Sequence, residues 1–232
     1  MEDNKNEVLH EDVTEMYADG MGNGAIPTRT VHRRARRNKT LYMVTLAILT
    51  ALVVVLQLWG SAIPMPGSTS LSLVLIPIVI GGLVLGVKAG AFLGFVFGLF
   101  VFVWCGVLGY DLFTAFLFAN QPVMTGLICI VKGTAAGLVP PIVHRALRNR
   151  MPFGSVVIAS AVAPICNTGL FMIGMLIIMK TLETYLAGAM TVGYFLGAII
   201  LVNFAVEFAF NLILSPAIYR IIGAVAKQYK RK

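Results

Sequence analysis

Charge is scarce in this chain: 12% of its 232 residues are Asp, Glu, Lys or Arg, against 58% hydrophobic. A water-soluble domain carries about twice that charged fraction, so the shortage excludes one. Cysteine is nearly absent, with Cys105, Cys129 and Cys166 each inside an apolar stretch. Their spacing suits neither a disulfide framework nor a metal-ligand set, and they read as small packing residues. The histidines, His10, His32 and His144, lie in polar or basic segments, where a membrane metal site or proton relay would not use them. HExxH, a GxSG with a membrane histidine and paired intramembrane aspartates are all missing, which argues against an intramembrane enzyme. No cofactor-binding pattern stands out either.

Long apolar runs are what the chain does have. They fall at about 41–59, 71–86, 89–108, 123–143, 153–179 and 192–219, near the 17 to 25 residues that span a bilayer, roughly. With a mean hydropathy of +0.87, the expectation is an all-α membrane protein of six transmembrane helices over 39–225. The second run is short, and the last two are long enough to tilt. Residues 1–38 are expected to be a disordered tail, acidic at first (Glu2, Asp3, Glu7, Glu11, Asp12, Glu15, Asp19) and without the apolar core of a signal peptide. Residues 226–232 form a basic tail.

Orientation follows from the basic residues. Arg29, Arg33, Arg34, Arg36, Arg37 and Lys39 precede the first run, Lys88 follows the second, Arg145, Arg148 and Arg150 follow the fourth, and Lys227, Lys230, Arg231 and Lys232 close the chain. In a six-span layout all of these fall on one side, which the positive-inside rule makes cytoplasmic. Both termini are therefore expected inside. The same asymmetry accounts for the net charge of +8 without a nucleic-acid partner, and leaves membrane lipid as the surface these residues meet.

Helix-packing signals come next. Gly82, Gly86, Gly90, Gly94 and Gly98 recur every fourth residue, a spacing that clears one face for close backbone approach. The expectation is close packing near the adjoining ends of helices 2 and 3. Ala47 and Ala51 form a second small pair on an otherwise bulky first helix. Pro77, Pro164 and Pro216 each fall within a run, and each frees a backbone carbonyl that the bundle must satisfy.

Polar residues inside the apolar runs carry the functional signal. An ionised side chain at mid-bilayer costs on the order of 3 kcal/mol, and each Leu, Ile, Val or Phe offsets about 0.5. The segment around Lys132 is too rich in Gly, Thr and Pro to leave that charge facing lipid. At about 1.5 Å rise per residue, Lys132 lies roughly 14 Å deep, Asn167 about 18 Å, Asn203 about 16 Å and Glu207 about 22 Å. Asn211 follows deeper on nearly the same face. Two readings stay open. Lys132 and Glu207 neutralise each other while the asparagines tie helices together, or the groups converge on a ligand, as intramembrane ionisable residues usually do. The outer loops add an amphipathic rim that includes Trp59, Ser61, Ser68, Thr69, Ser70, Tyr110, Asp111, Asn120, Gln121 and Tyr185.

The runs LSLVLIPIVIGGLVLGVKAGAFLGFVFGLF (71–100), VKGTAAGLV (131–139) and APICNTGLF (163–171) resemble the S components of energy-coupling factor (ECF) transporters, the vitamin-uptake systems of the bacterial cell membrane. The resemblance covers about 41–225. It implies a substrate-capture subunit, not an enzyme, that binds one water-soluble vitamin near the outer face and topples in the membrane. The driving partners would be a T subunit and two ATP-binding cassette subunits. Ala47 and Ala51 match the family's AxxxA docking motif. The positions that fit substrate contact are Lys132, Asn167, Asn203 and Glu207, with Asn120, Gln121 and Trp59 from the rim. The long amino-terminal tail departs from the usual compact S component. A lysine among amides suits a carboxylate or phosphate on a hydroxyl- or amide-bearing body, which favours pantothenate. Riboflavin is next, because Trp59, Phe171 and Tyr185 offer rings to stack on. The alternatives are a stand-alone secondary transporter, although 41–143 and 153–219 lack the self-similarity of internal repeats, and a membrane scaffold or assembly protein.

Overall fold

The computed structural model describes residues 28–61, 73–186 and 191–230. Two units are distinguished, Met1–Thr40 and Leu41–Lys232. Helix α1 is Thr28–Ser61, so residues 28–38, expected in a disordered tail, are helical. Residues 1–27 lie outside the described residues, as do Ser68, Thr69 and Ser70 of the expected rim.

Within the second unit the described residues form helices joined by short turns, with no strand among them. Helix α2 is Leu75–Leu85, shorter than the run that suggested it. Pro77 therefore sits in a first turn, where its missing N–H is not needed, and kinks nothing. Gly86, at φ 96°, reverses the chain in a single residue, a conformation that favours glycine. Helix α3 (Val87–Phe100) runs on as a π-helical segment, Val101–Val107. After Gly109, also at positive φ, comes α4 (Leu112–Asn120). Helices α5 (Pro122–Leu147) and α6 (Pro152–Ile177) follow, then α7 (Met179–Leu186) and the one-turn α8 (Val192–Tyr194). A second π-helical segment, Phe195–Ile200, leads into α9 (Leu201–Lys230). Among the described residues, five helices are long and apolar enough to cross a membrane, with Leu75–Leu85 a shorter sixth.

Two expected loops contain structure of their own. Helices α4 and α7 occupy stretches read as connections at 109–122 and 180–191. Each is too short to span a bilayer. They meet through Tyr185, whose ring lies 5.1 Å from both Phe113 and Phe116. Helix α9 also continues through Lys230, across much of the expected basic tail.

The glycine ladder packs α2 and α3 together at their adjoining ends, as expected, where a methyl on Gly90 would lie 2.9 Å from the Cα of Gly82, and it also seats a second helix. Gly90, Gly94 and Gly98 of α3 lie against Gly137, Gly133 and Cys129 of α5, and a methyl built on any of the three would overlap a backbone oxygen of that helix. Gly133 and Gly137 show the reciprocal restriction against Gly94 and Gly90. Helix–helix association in lipid lacks a hydrophobic drive and relies on contact of this kind. The consequence is positional: α5, which carries Lys132, is held flush against α3. On its other side α5 packs along α6, and α6 packs along α9. Helix α1 buries one narrow stripe, Leu49, Val53 and Gln57, against α2 and α3, and leaves Met43, Val44, Ile48, Leu52 and Val55 exposed.

Candidate functional site

The helices that the ladder and its neighbours hold together enclose a cavity of about 60 Å³. It is lined by Phe97, Val101 and Cys105 from α3 and its π extension, by Asp111, Phe113 and Thr114 at the start of α4, and by Lys132 of α5. Helix α6 contributes Asn167, Thr168 and Phe171, and the last stretch contributes Ile200, Asn203 and Glu207. Both π-helical segments thus supply wall residues, an arrangement common at functional sites because the wider turn re-aims side chains.

Lys132, half-buried, holds its ammonium 4.7 Å from the centre of the Phe171 ring. The negative ring face attracts a cation, by about 0.5 to 2 kcal/mol depending on desolvation. Glu207 is buried and accepts from Asn203 Nδ2 at 3.2 Å on Oε1, while Asn211 Nδ2 donates to its main-chain oxygen at 2.9 Å. Each ionisable group is thus engaged by a neighbour of its own, whatever field passes between them. The side-chain oxygens of Asn167 and Asn203 are buried and accept no hydrogen bond from the protein. A buried acceptor left in that state costs about 1 to 3 kcal/mol, so these two atoms call for a donor.

At the α4 end, Asp111 caps the helix. Its Oδ2 accepts from Thr114 N–H at 3.0 Å and from the Thr114 hydroxyl, the usual way an N-cap satisfies an orphan donor. Burial pushes the Asp111 carboxyl above the ordinary carboxylate range, against the Thr114 and Phe113 hydrogen bonds and the positive field of Lys132. Above it Phe113 is buried among Phe171, Tyr185 and Phe195, closing the cavity with aromatic rings.

Of the candidates read from the sequence, Lys132, Asn167, Asn203 and Glu207 are brought together around one cavity. Trp59, Asn120 and Gln121 are not. Trp59 is 61% exposed on α1. Asn120 is exposed and donates to the Phe116 carbonyl. Gln121 faces a separate crevice with Met124, Lys180 and Glu183. Ala47 and Ala51 lie exposed on α1. Thr114 and Thr168 were missed, and Asp111 was seen only as rim. An Asp immediately before the apolar stretch LFTAF is a readable helix-start signal that would have placed it at the head of α4. Among the described residues, no cluster of three or more metal-ligating side chains occurs.

A family model described as "ECF transporter, substrate-specific component" matches residues 41–219. The chain is also 31% identical over 195 residues to the pantothenic acid transporter PanT of Lactococcus lactis subsp. cremoris, an alignment covering 79% of this chain and 94% of that protein.

Proposed function

Because this chain belongs to the substrate-specific components of ECF transporters, we propose that it captures pantothenate in the cavity around Lys132. It is a transport subunit, not an enzyme. One observation carries the substrate reading: Lys132 lines the same cavity as Asn167 and Asn203, whose buried side-chain oxygens accept nothing from the protein. Pantothenate offers the complement, a carboxylate for the lysine and amide and hydroxyl hydrogens for the oxygens. The similar lactococcal protein is named as a pantothenic acid transporter, which supports this vitamin ahead of riboflavin.

In this reading six helices, Leu75–Leu85 included, cross the membrane with both termini cytoplasmic, as the distribution of Lys and Arg requires. The cavity then opens outward on the side of α4 and α7. Ala47 and Ala51 face a T subunit, two ATP-binding cassette subunits supply the energy, and the whole subunit topples to deliver its load. A vitamin panel tests the substrate: pantothenate raises the melting temperature of the detergent-purified chain and riboflavin does not. No shift with pantothenate alongside a shift with another vitamin rejects the assignment.

A further inference from the structure

Three ionisable side chains line the cavity, Asp111, Lys132 and Glu207. When all three are ionised their charges sum to −1. A monoanionic ligand adds one more negative charge, for a total of −2 among the rings of Phe97, Phe113 and Phe171. Uncompensated charge held away from water is costly, and a group so placed relieves the cost by taking a proton.

We propose that an anionic substrate enters this cavity together with one proton, which Asp111 takes from solvent. The inference rests on the reading of the cavity as a pantothenate site. Glu207 is the poorer recipient: it lies in mid-helix, fully buried, with Asn203 donating to its Oε1. Asp111 stands at the turn into α4, beyond the end of the preceding apolar helix and partly open to solvent. The titratable groups facing it are Cys105 on the π-helical segment, Cys129 and Lys132 on α5, and Glu207 on α9. Helix α7, packed on α4, presents Tyr185, with Lys180 and Glu183 exposed. Among the described residues lining the cavity, Lys132 is the one cation. Burial already raises the carboxyl of Asp111, and a ligand anion alongside moves it further the same way. The proton balance is simple: one H⁺ leaves solvent, the Asp111 carboxylate becomes a carboxylic acid, and the complex keeps the net charge of the empty cavity. As an acid, Asp111 also becomes a donor to the ligand's carboxylate.

Calorimetric titration of the full chain in detergent with sodium pantothenate tests this, in buffers of different ionisation enthalpy between about pH 6 and 8, where the ligand stays ionised. The expected result is uptake approaching one proton per ligand, with affinity weakening by up to about tenfold per pH unit as pH rises. Asp111→Asn is expected to bind with uptake near zero and a flat pH profile. Wild-type binding with no uptake overturns this inference alone. Uptake that persists in Asp111→Asn and vanishes in Glu207→Gln also overturns it, because the proton then sits on the other carboxyl. Folded protein that shows neither heat nor a melting shift with pantothenate removes the vitamin reading, and this inference with it.

Discussion

The ammonium of Lys132 rests 4.7 Å from the centre of the Phe171 ring, a contact that holds a mid-span cation at the cavity wall. A carboxylate arriving in the cavity can therefore claim the lysine while the ring stays in place. Charge-assisted hydrogen bonds contribute about 1.5 to 3 kcal/mol, so Lys132→Met is expected to weaken pantothenate binding by about ten- to a hundredfold while leaving the melting temperature near wild type. Phe171→Leu removes only the ring face and is expected to cost a few-fold. Titration calorimetry paired with melting curves checks both. Lost stability in Lys132→Met with affinity intact would mark the lysine as a structural pair instead.

The interlock of Gly94 with Gly133 fixes how close α5 comes to α3. A methyl on Gly94 meets the Gly133 carbonyl oxygen, and backbone cannot rotate away as a side chain can. Overpacking of this sort costs about 1 to 3 kcal/mol, so Gly94→Ala is expected to lower the melting temperature by several degrees, and Gly94→Leu to abolish monodisperse protein. Gly169 on α6 is the control. A Cβ there meets nothing within 4 Å, and Gly169→Ala is expected to be neutral or to stabilise by about 0.5 to 1 kcal/mol. Fluorescence-detected size exclusion after heating reads all three.

Lys132, Asn167, Asn203 and Glu207 were legible in the sequence because each is polar against an apolar background, and a rise of about 1.5 Å per residue put them at a common depth. The glycines at every fourth position were equally visible, but spacing identifies a cleared face and not the helix that fills it. Gly133 and Gly137 repeat the same interval inside a Thr- and Ala-rich stretch where small residues are unremarkable. Helix α4 was hidden because LFTAFLFAN is apolar on every side and has no period to read. Trp59, Asn120 and Gln121 were chosen for being polar or amphipathic near a span end, and composition says nothing about which way such a side chain points.

Asp111 makes the ligand-free protein pH-sensitive in a direction opposite to most carboxylates. Its carboxyl titrates above the ordinary range because burial outweighs the hydrogen bonds and the lysine field that oppose it. The folded state therefore binds that proton more tightly than the unfolded chain. This contribution is fully present below the unfolded carboxylate value and is lost as pH rises through the higher folded one. Asp111→Asn keeps an acceptor for Thr114 and removes the titration. The melting temperature of wild type relative to this variant is expected to fall as pH rises above the unfolded carboxylate value of about 4; parallel curves would show that the carboxyl feels no net burial.

The exposed faces of Ala47 and Ala51 separate partner docking from vitamin capture. The double variant Ala47→Trp with Ala51→Trp adds bulk at two exposed positions of α1. Pantothenate affinity and melting temperature are expected to stay at wild-type values while co-purification with the ATP-binding cassette subunits is lost. Retention of those subunits at wild-type yield would move the docking face elsewhere on the chain.

Asn167 distinguishes a ligand contact from interhelical glue most cleanly, because its Oδ1 is buried and accepts nothing from the protein. Removing an acceptor with no donor relieves a desolvation cost in the empty state, so Asn167→Leu is expected to melt at or above the wild-type temperature. The same change takes away an acceptor that the ligand's hydroxyl or amide would fill, a loss of about 0.5 to 1.5 kcal/mol, or roughly two- to tenfold in affinity. Stability and binding should thus move in opposite directions in one variant. A protein that melts lower yet binds pantothenate unchanged would place Asn167 among the helix-bridging residues and take the second acceptor, Asn203, out of the vitamin site by the same reasoning.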